Sequence, residues 1–332
     1  MSVKKKILIA YDGSACAEAA LDDLQRAGLP DDAEAVVMSV TELWLPPVPP
    51  SSFEVIDLAR AVQVPADLTH VYSQTSPAVQ TAQTLADRGA TRLRTNFPGW
   101  HVSTQTGVGS PRSELIQQTD NWKPDLIVLG SHGHSMLTRL VLGSVSQGVL
   151  TDAHTSVRIA RGRVEEPNTP VRIVVGVDGS DASAAAVREV AARNWPAQSE
   201  VRIIAVTDPL QPGLIGSLIP PVRDFVNESN QEDRKWLNGL LEKSSKEFKS
   251  SNLKVTTQIV VGDPRRDLVA VAESWGADCI FVGSIGFNSR FERFVLGSVS
   301  ATVAARAHCS VEVVRVPRVK DGTDPKPDYS RN

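Results

Sequence analysis

Short runs of consecutive apolar residues recur along the chain, separated by polar turns and by stretches with the spacing of amphipathic helices. The clearest runs read ILIAY at residues 7–11 and LIVL at residues 126–129. Strands that are apolar at every position are typical of parallel sheets with helices on both faces. The first half is therefore predicted to contain strands at residues 6–11, 35–40, 100–107, 125–129 and 156–160. Helices are predicted at residues 15–27, at 76–96, from 111 onward, and from 146 to about 153.

The second half of the chain repeats this order of elements. The run VRIVVGVDGS at residues 171–180 repeats the opening strand and its turn, and the sequence VLGSVS occurs both at 141–146 and at 295–300. A repeated match in the same context indicates an internal duplication. Strands of the second half are predicted at residues 171–177, 201–206, 256–262, 279–282 and 311–315.

Strands that alternate with helices, five in each half, predict an α/β fold with two tandem doubly wound five-stranded parallel sheets. Asp12 and Gly130 lie 118 positions apart, whereas Asp178 and Gly283 lie 105 apart, so the first copy carries 13 extra residues. The extra residues fall between the second and third strands, and surface connections tolerate such insertions best. We expect these segments: a first domain at 1–163, a linker at 164–170, a second domain at 171–318 and a disordered polar tail at 319–332.

A glycine-rich loop between a buried strand and a helix is the strongest candidate for chemistry. Gly130, Gly133 and Gly143 bracket the loop, and Ser144 closes it where the helix starts. Glycines let a backbone approach a phosphate, and the N–H groups and dipole at a helix N-terminus attract negative charge. Ser144 or Ser146 would add hydroxyl donors or cap the helix. The alternative is a glycine-rich turn with a serine cap.

The candidate motifs converge on one edge of the predicted sheet. Asp12, Val40 and Gly130 all lie at the carboxyl ends of predicted strands. Ligands of open parallel sheets bind beyond these ends. The sequence therefore predicts one ligand crevice in each domain.

Composition excludes several classes of function. The chain has 332 residues and a net charge of −3, so it has no strong attraction to nucleic acid or to an acidic membrane. Cys16, Cys279 and Cys309 are too widely spaced for a metal-ligand pair or a disulfide framework, which fits a reducing compartment. Its apolar runs are too short for a signal peptide or a membrane helix. We expect a cytoplasmic protein without nucleic-acid or membrane partners.

An aspartate after the first strand, combined with Gly-x2-Gly-x9-Gly-Ser before the last helix, resembles the universal stress protein family. Gly130, Gly133, Gly143 and Ser144 match that spacing, and the resemblance covers almost the whole chain as two tandem copies. It implies the adenine nucleotide alpha hydrolase-like fold, with ATP bound in one branch of the family and Mg²⁺ expected on the phosphates. The nucleotide-binding positions that it implies are Asp12, Val40, Leu129, Gly130, Gly133, Gly143, Ser144, Val145, Ser146, Asp178, Val206, Val282, Gly283, Gly286, Gly297, Ser298, Val299 and Ser300.

The resemblance also implies a role for each position of the first half. Asp12 would contact the ribose or the adenine edge, and the backbone of Val40 would pair with adenine. Leu129 and Gly130 would line the ribose. The phosphates would be cradled by Gly133, Gly143, Ser144, Val145 and Ser146.

The second copy departs from the family spacing. Ten residues separate Gly286 from Gly297, where the first copy has nine. Arg293 aligns with Arg139 when the residues are counted back from the helix, so the extra residue lies before Arg293. An added residue changes where the loop N–H groups point, and we expect the second site to hold ATP more weakly. The alternative is that the extra residue bulges outward and leaves the cradle intact.

Several candidate residues also have a purely structural interpretation. Asp12 and Asp178 are typical turn formers before a glycine, although their recurrence beside a phosphate-type loop favours a functional role. Ser14 and Ser180 are expected to cap the first helix of each half. Cys16 lies in a helical pattern and is expected to be a small packed residue.

The histidines and arginines of the loop are weaker candidates. His132 and His134 have a metal-like spacing, but a metal site needs further ligands, so we expect solvated loop residues. Arg139 and Arg293 would pair with phosphates or lie on a solvated face, and the sequence does not decide between these alternatives.

Two functions from different classes remain open. The first is an ATP-binding stress or signalling protein with at most slow ATP turnover. The second is a dimerisation or interaction module whose sites are empty or vestigial. Because the sequence shows no acid-base pair and no nucleophile with an orienting partner, a vigorous enzyme is not expected. The last strands, at 156–160 and 311–315, would leave open sheet edges, so we expect the halves to pair there; a homodimer is a further possibility.

Overall fold

The computed structural model describes residues 4–42, 77–132, 142–161, 166, 168–210, 220–285 and 296–316. The elements of the first half are β1 (Lys5–Ala10), α1 (Ala15–Leu24), β2 (Ala33–Thr41), α2 (Pro77–Asn96), β3 (His101–Val108), α3 (Pro111–Trp122), β4 (Leu126–Gly130), α4 (Ser144–Asp152) and β5 (Ser156–Ala160). Those of the second half are β6 (Arg172–Val177), α5 (Asp181–Ala191), β7 (Glu200–Thr207), α6 (Pro220–Lys246), β8 (Lys254–Val261), α7 (Pro264–Trp275), β9 (Cys279–Gly283), α8 (Ser298–Arg306) and β10 (Ser310–Val314).

All these strands lie in one 10-stranded sheet with the order β3-β2-β1-β4-β5-β10-β9-β6-β7-β8. Pairing is parallel within each half, and only the junction of β5 with β10 is antiparallel. The predicted α/β fold with two five-stranded parallel units is confirmed. The units are joined edge to edge through the last strand of each.

The sheet is buried on both faces, which explains the uninterrupted apolar strands. Ile7 and Ile9 lie in a core between the sheet and the helices of the first half, while Leu8 points to the opposite face. The core on that opposite face continues across the junction of the two halves, and Leu8, Ile159 and Val311 all belong to it. A second-half core that includes Ile173 and Phe281 covers the remaining face. Side chains of a strand alternate between faces, so two covered faces require an apolar residue at every position.

Several element boundaries differ from the predicted ones. The first helix was expected to reach residue 27 but ends at Leu24, where the chain tightens into a turn and Gly28 adopts φ +65°, a conformation that favours glycine. The last strand ends at Val314 rather than at Arg315, because the Arg315 N–H donates to Ser156 Oγ instead of to the sheet. The connection from β2 to β3 is longer than its counterpart from β7 to β8 in the second half, as expected.

Candidate functional site

The crevice lies where the direction of chain progression across the sheet reverses. In the first half β2 and β3 lie on one side of β1, while β4 and β5 lie on the other. Such a switch point leaves an opening beyond the carboxyl ends of the two central strands. Asp12 follows β1, and Gly130 ends β4. Val40 lies near the end of β2 beside Gly107, so the predicted adenine-side and ribose-side positions share one edge.

Asp12 shapes the turn that leaves β1. The Ser14 N–H donates to Asp12 Oδ1 over 3.0 Å, and Ser14 Oγ accepts from the Ala17 N–H at the start of α1. The predicted serine cap is therefore confirmed. Asp12 therefore forms a turn here, as its structural interpretation predicted. Its side chain is exposed at the crevice.

The second half builds the same turn. Both the N–H and the hydroxyl of Ser180 donate to Asp178 Oδ1, over 3.0 and 2.6 Å. Ser180 Oγ accepts from the Ser183 N–H and caps α5, as predicted. The aspartate-serine pair thus has a structural function in both halves, and contact with a nucleotide stays a prediction.

Gly130 is required by close packing between β4 and α1. A Cβ atom at this position would lie 2.8 Å from the backbone carbonyl carbon and oxygen of Cys16. The equivalent atom at Gly283 would lie 2.6 Å from the Ser183 nitrogen. These glycines therefore bring the first helix of each half close to the crevice, which is a reason for glycine independent of any phosphate.

The start of α4 is built by Gly143 and Ser146. Gly143 is the N-cap residue, with no side-chain cap, so the expectation that Ser144 or Ser146 caps the helix is wrong. The Gly143 N–H instead donates to the Ser131 carbonyl over 2.9 Å. Ser146 Oγ donates to the Gly130 carbonyl over 2.8 Å. These two bonds fix the helix start against the end of β4.

Three backbone N–H groups remain at this helix start, those of Ser144, Val145 and Ser146, and helix geometry gives them no intrahelical partner. Ser144 is exposed and Val145 is half-buried. Their N–H groups and the helix dipole form the anion-attracting end of α4. The start of α4 is therefore the part of the predicted phosphate cradle that the described residues include, and it lies beside Gly130, close to the strand ends.

The second half builds a similar helix start with one different bond. The Gly297 N–H donates to the Ser284 carbonyl over 2.7 Å. Ser300 Oγ lies 2.9 Å from the Gly297 carbonyl and 3.1 Å from the Ser284 carbonyl, whereas Ser146 bonds the Gly130 carbonyl. Ser298 and Val299 occupy the positions of Ser144 and Val145. Val206 and Val282 lie near the ends of β7 and β9.

Part of each loop lies outside the described residues. This applies to Gly133, His134 and Arg139 in the first half, and to Gly286 and Arg293 in the second. The described residues include the strand ends and the helix start that border each crevice. The predictions for these five loop residues stay predictions.

His132 is buried rather than solvated. It is 6% exposed, and its Nδ1 lies 3.0 Å from Ser131 Oγ. Burial, aided by the positive charge of Arg161, lowers the pKa of the imidazole. The expectation of a solvated loop residue is wrong for this histidine. Among the described residues, no group of three His, Cys, Asp or Glu side chains could hold a metal ion.

Ser39 is a site residue that the sequence analysis missed. It is 2% exposed, and its hydroxyl donates to the Tyr11 carbonyl over 2.5 Å. The bond ties the end of β2 to the chain just before Asp12. A single polar residue in the apolar run at 35–40 was the available signal.

Comparisons with known proteins identify the family of this chain. A family model described as the universal stress protein family matches residues 4–161 and 171–315. A universal stress protein of Methanocaldococcus jannaschii is 31% identical over 147 residues, which are 44% of this chain and 83% of that protein. One of Mycolicibacterium smegmatis is 28% identical over 218 residues, 65% of this chain and 70% of that protein.

The arrangement of the two halves also has a solved counterpart. The crystal structure of a universal stress protein from Archaeoglobus fulgidus matches with a TM-score of 0.61 and 21% identity. The match covers 93% of this chain and 98% of that one. This likeness concerns the fold.

Proposed function

The chain belongs to the universal stress protein family, and we propose that it binds ATP in its first half, more weakly in its second, in a stress-response or signalling role. The proposal includes at most slow ATP turnover and a cytoplasmic location. Within the described residues, no helix is long and apolar enough to cross a membrane.

One observation carries this proposal: the turn at Asp12, the end of β2 at Val40 and the start of α4 at Gly143 border a single crevice at the switch point. An adenine nucleotide needs a polar partner for its ribose, a backbone edge for its base and N–H donors for its phosphates. In the sheet order β2-β1-β4, these groups run from the base edge at Val40 through the ribose partner at Asp12 to the N–H donors beyond β4. The residue roles implied by the family resemblance fit these places.

The phosphates are proposed to lie at the start of α4. The N–H groups of Ser144, Val145 and Ser146 would donate to them, with Gly133 and Gly143 allowing close approach. Mg²⁺ in nucleotide sites is held largely by the phosphates and water, with one or two protein oxygens. The described residues hold no dedicated metal cluster, so the fit is to a Mg²⁺ carried by the nucleotide.

Purified, heat-denatured protein is expected to release adenine nucleotide that mass spectrometry identifies. The site is then tested by Gly143→Val in the full chain. The backbone of Gly143 has φ −64° and ψ 154°, which valine adopts without dihedral strain, and its side chain would block the phosphate; circular dichroism and thermal unfolding confirm first that the variant is folded. Calorimetry should show loss of the tighter ATP site. Unchanged ATP binding in this variant would contradict the proposed site.

The two sites are proposed to be unequal because the second loop carries one more residue. Misdirecting one N–H loses a charge-assisted hydrogen bond of roughly 1.5–3 kcal/mol, or about one to two decades in affinity. Gly297→Val is the counterpart variant, since Gly297 is the N-cap residue of α8; an added Cβ there would lie 3.0 Å from the Ser284 carbonyl oxygen, so its fold is checked in the same way. ATP should bind Gly297→Val chains more tightly than Gly143→Val chains. Equal affinities would show that the extra residue leaves the cradle intact.

The second candidate function is an interaction module, and it is favoured by the junction between the halves. Val311 lies opposite Ile159 and Val313 opposite Val157 in the antiparallel pairing of β10 with β5. We propose that this pairing persists in solution, so that the two halves tumble as one body in NMR relaxation. If no nucleotide binds to wild-type protein that tumbles in this way, the interaction module becomes the better account.

A further inference from the structure

Two arginines cross the junction between the halves in the same manner. Arg315 follows β10, and its Nη2 donates to the Leu150 carbonyl over 2.6 Å. Arg161 follows β5, and its Nη2 donates to the Ala304 carbonyl, also over 2.6 Å. Leu150 lies in the last turn of α4, and Ala304 lies in the last turn of α8. Each arginine therefore reaches the helix whose other end forms the anion site of the opposite half.

Backbone bonds hold both arginines in place. The Arg315 N–H donates to Ser156 Oγ over 3.1 Å, and the Arg161 N–H donates to Ser310 Oγ over 2.9 Å. Arg315 is 8% exposed, and Arg161 is partly buried. Each arginine thus makes the same two kinds of bond to the other half, one from its backbone N–H to a serine and one from its Nη2 to a helix carbonyl, although α4 and α8 differ in sequence.

The chemistry of a helix C-terminus explains the choice of arginine. The last carbonyls of a helix lack intrahelical donors, and this end carries partial negative charge. A guanidinium satisfies one such carbonyl and compensates the dipole. Holding the C-terminal turn restricts tilting and fraying of a short helix, so it also fixes where the N-terminal N–H groups point.

The helix α4 depends on this support more than α8 does. Both helices have 9 residues, too few for a helix that is stable alone, but Gly148 in the interior of α4 lowers its helix propensity further. The last residue of α4 is Asp152, an acid at the negative end of the dipole, where Arg112 pairs with it. The helix α8 carries Arg306 in its last turn and has Thr302 where α4 has Gly148.

We propose that Arg315 and Arg161 are positioning residues for the anion site of the opposite half, so that each half supports the site of the other through α4 or α8. The support is unequal: the first-half site depends on Arg315 more than the second-half site depends on Arg161. This inference rests on the proposed function for its ligand, but the support of each helix has a readout without any nucleotide.

The first experiment is hydrogen exchange on the full chain with Arg315→Met, which keeps the aliphatic stem and removes the donors. Amides of α4 should exchange about two- to thirty-fold faster, the range expected for a cation at a helix C-terminus. Amides of α8 should be unchanged. Arg161→Met should give the crossed pattern, with a smaller effect on α8. Arg315→Lys, which keeps the charge, should recover part of the protection.

A general loosening of the junction is the alternative, and Glu312→Gln controls for it. Glu312 lies in β10 within the same interface and is 1% exposed, yet it makes no contact with α4 among its described hydrogen bonds. If Glu312→Gln speeds exchange in α4 as much as Arg315→Met, or if β5 and β10 lose protection before α4 does, the proposal is overturned.

The second experiment measures ATP in the same variants. Arg315→Met should weaken the first-half site, and Arg161→Met the second-half site, each by up to about thirty-fold. Wild-type protein that binds no ATP would refute the proposed function, while the exchange pattern would still decide whether each arginine supports the opposite helix. Equal weakening of both sites by either variant would overturn this crossed support and leave the proposed function standing.

Discussion

Individual glycines decide how closely the first helix of each half approaches the crevice. At Gly130 an added Cβ meets the backbone of Cys16, which cannot rotate away as a side chain would. The two elements must then separate. Glycine at this position is thus explained by packing, and its use beside a phosphate is a consequence of the close approach.

Gly130→Ala should lower the free energy of unfolding by about 1–3 kcal/mol, the usual cost of overpacking a core. The control is Gly239→Ala in α6, where no atom lies within 4 Å of the added Cβ. This exposed helical site should gain roughly 0.5–1 kcal/mol, because alanine loses less backbone freedom on folding. Urea unfolding measures both. A Gly130→Ala protein as stable as wild type would refute the packing explanation.

Glu189 gives the junction a defined dependence on pH. Burial raises the pKa of this carboxyl, but the charges of Arg193 and Lys5 and their hydrogen bonds outweigh it and lower the pKa from 4.5 to about 2. A group with a lowered folded-state pKa stabilises the protein above its unfolded pKa. That stabilisation is lost as the pH falls from about 4.5 towards 2.

Glu189→Gln should therefore cost about 3 kcal/mol at pH 7, and the difference from wild type should shrink at pH 3. Urea unfolding at the two pH values measures it. Glu242→Gln, which removes an exposed partner of Lys246, should show little change at either pH. A difference that is the same at pH 3 and pH 7 would mean that Glu189 acts through packing alone.

At the scale of the element, the candidate site is the meeting of one strand end with one helix start. Ser146, 6% exposed, joins them through the Gly130 carbonyl. Ser146→Ala should lower the free energy of unfolding by about 1 kcal/mol and weaken ATP at the first site. Ser300→Ala is its partner in the second half and should affect the second site. Thermal unfolding and calorimetry measure the two effects. An unchanged ATP affinity at the first site would show that Ser146 anchors the helix without contributing to binding.

The elements themselves were predictable because their signals are local. Apolar runs identified the strands, and the aspartate-glycine-serine turn located the start of the first helix in both halves. The N-cap of α4 was not predictable in this way. A serine after glycine is a common cap, and only the observed bond from the Gln147 N–H to the Gly143 carbonyl, over 2.8 Å, shows that the glycine takes that position.

At the scale of the whole molecule, a chain of alternating charges crosses the junction. Arg158, 1% exposed, donates to Asp23 and to Glu312, which faces it across the antiparallel pair. Glu312 also bonds Arg193, which in turn bonds Glu189. This network was not predicted, because its members lie far apart in the sequence. Aligning the two last strands would have shown opposite charges at residues 158 and 312.

Arg158→Met should cost about 3–5 kcal/mol, because it leaves Asp23 and Glu312 buried without their shared partner. Adding Glu312→Leu should cost less than the sum of the two single changes, since the pair is in contact. Urea unfolding of the wild type, both single variants and the double variant gives the coupling energy. Strictly additive costs would show that Arg158 and Glu312 stabilise the junction separately.

The position of β10 at the far end of the chain has a consequence during synthesis. At typical rates of about 5–20 residues per second, the roughly 150 residues between β5 and β10 take on the order of 10–30 s to emerge from the ribosome. The first half can fold in that interval, but its β5 edge has no partner until the last strand arrives. Arg158, paired with Asp23 of the first half, then stands in the middle of the open edge strand. A foreign strand that paired there would have to bury this ion pair without the carboxylate of Glu312, and inward-pointing charges on an edge strand are a device against aggregation. The arginine that later joins the halves would therefore also disfavour pairing of β5 with foreign strands until the second half has been synthesised.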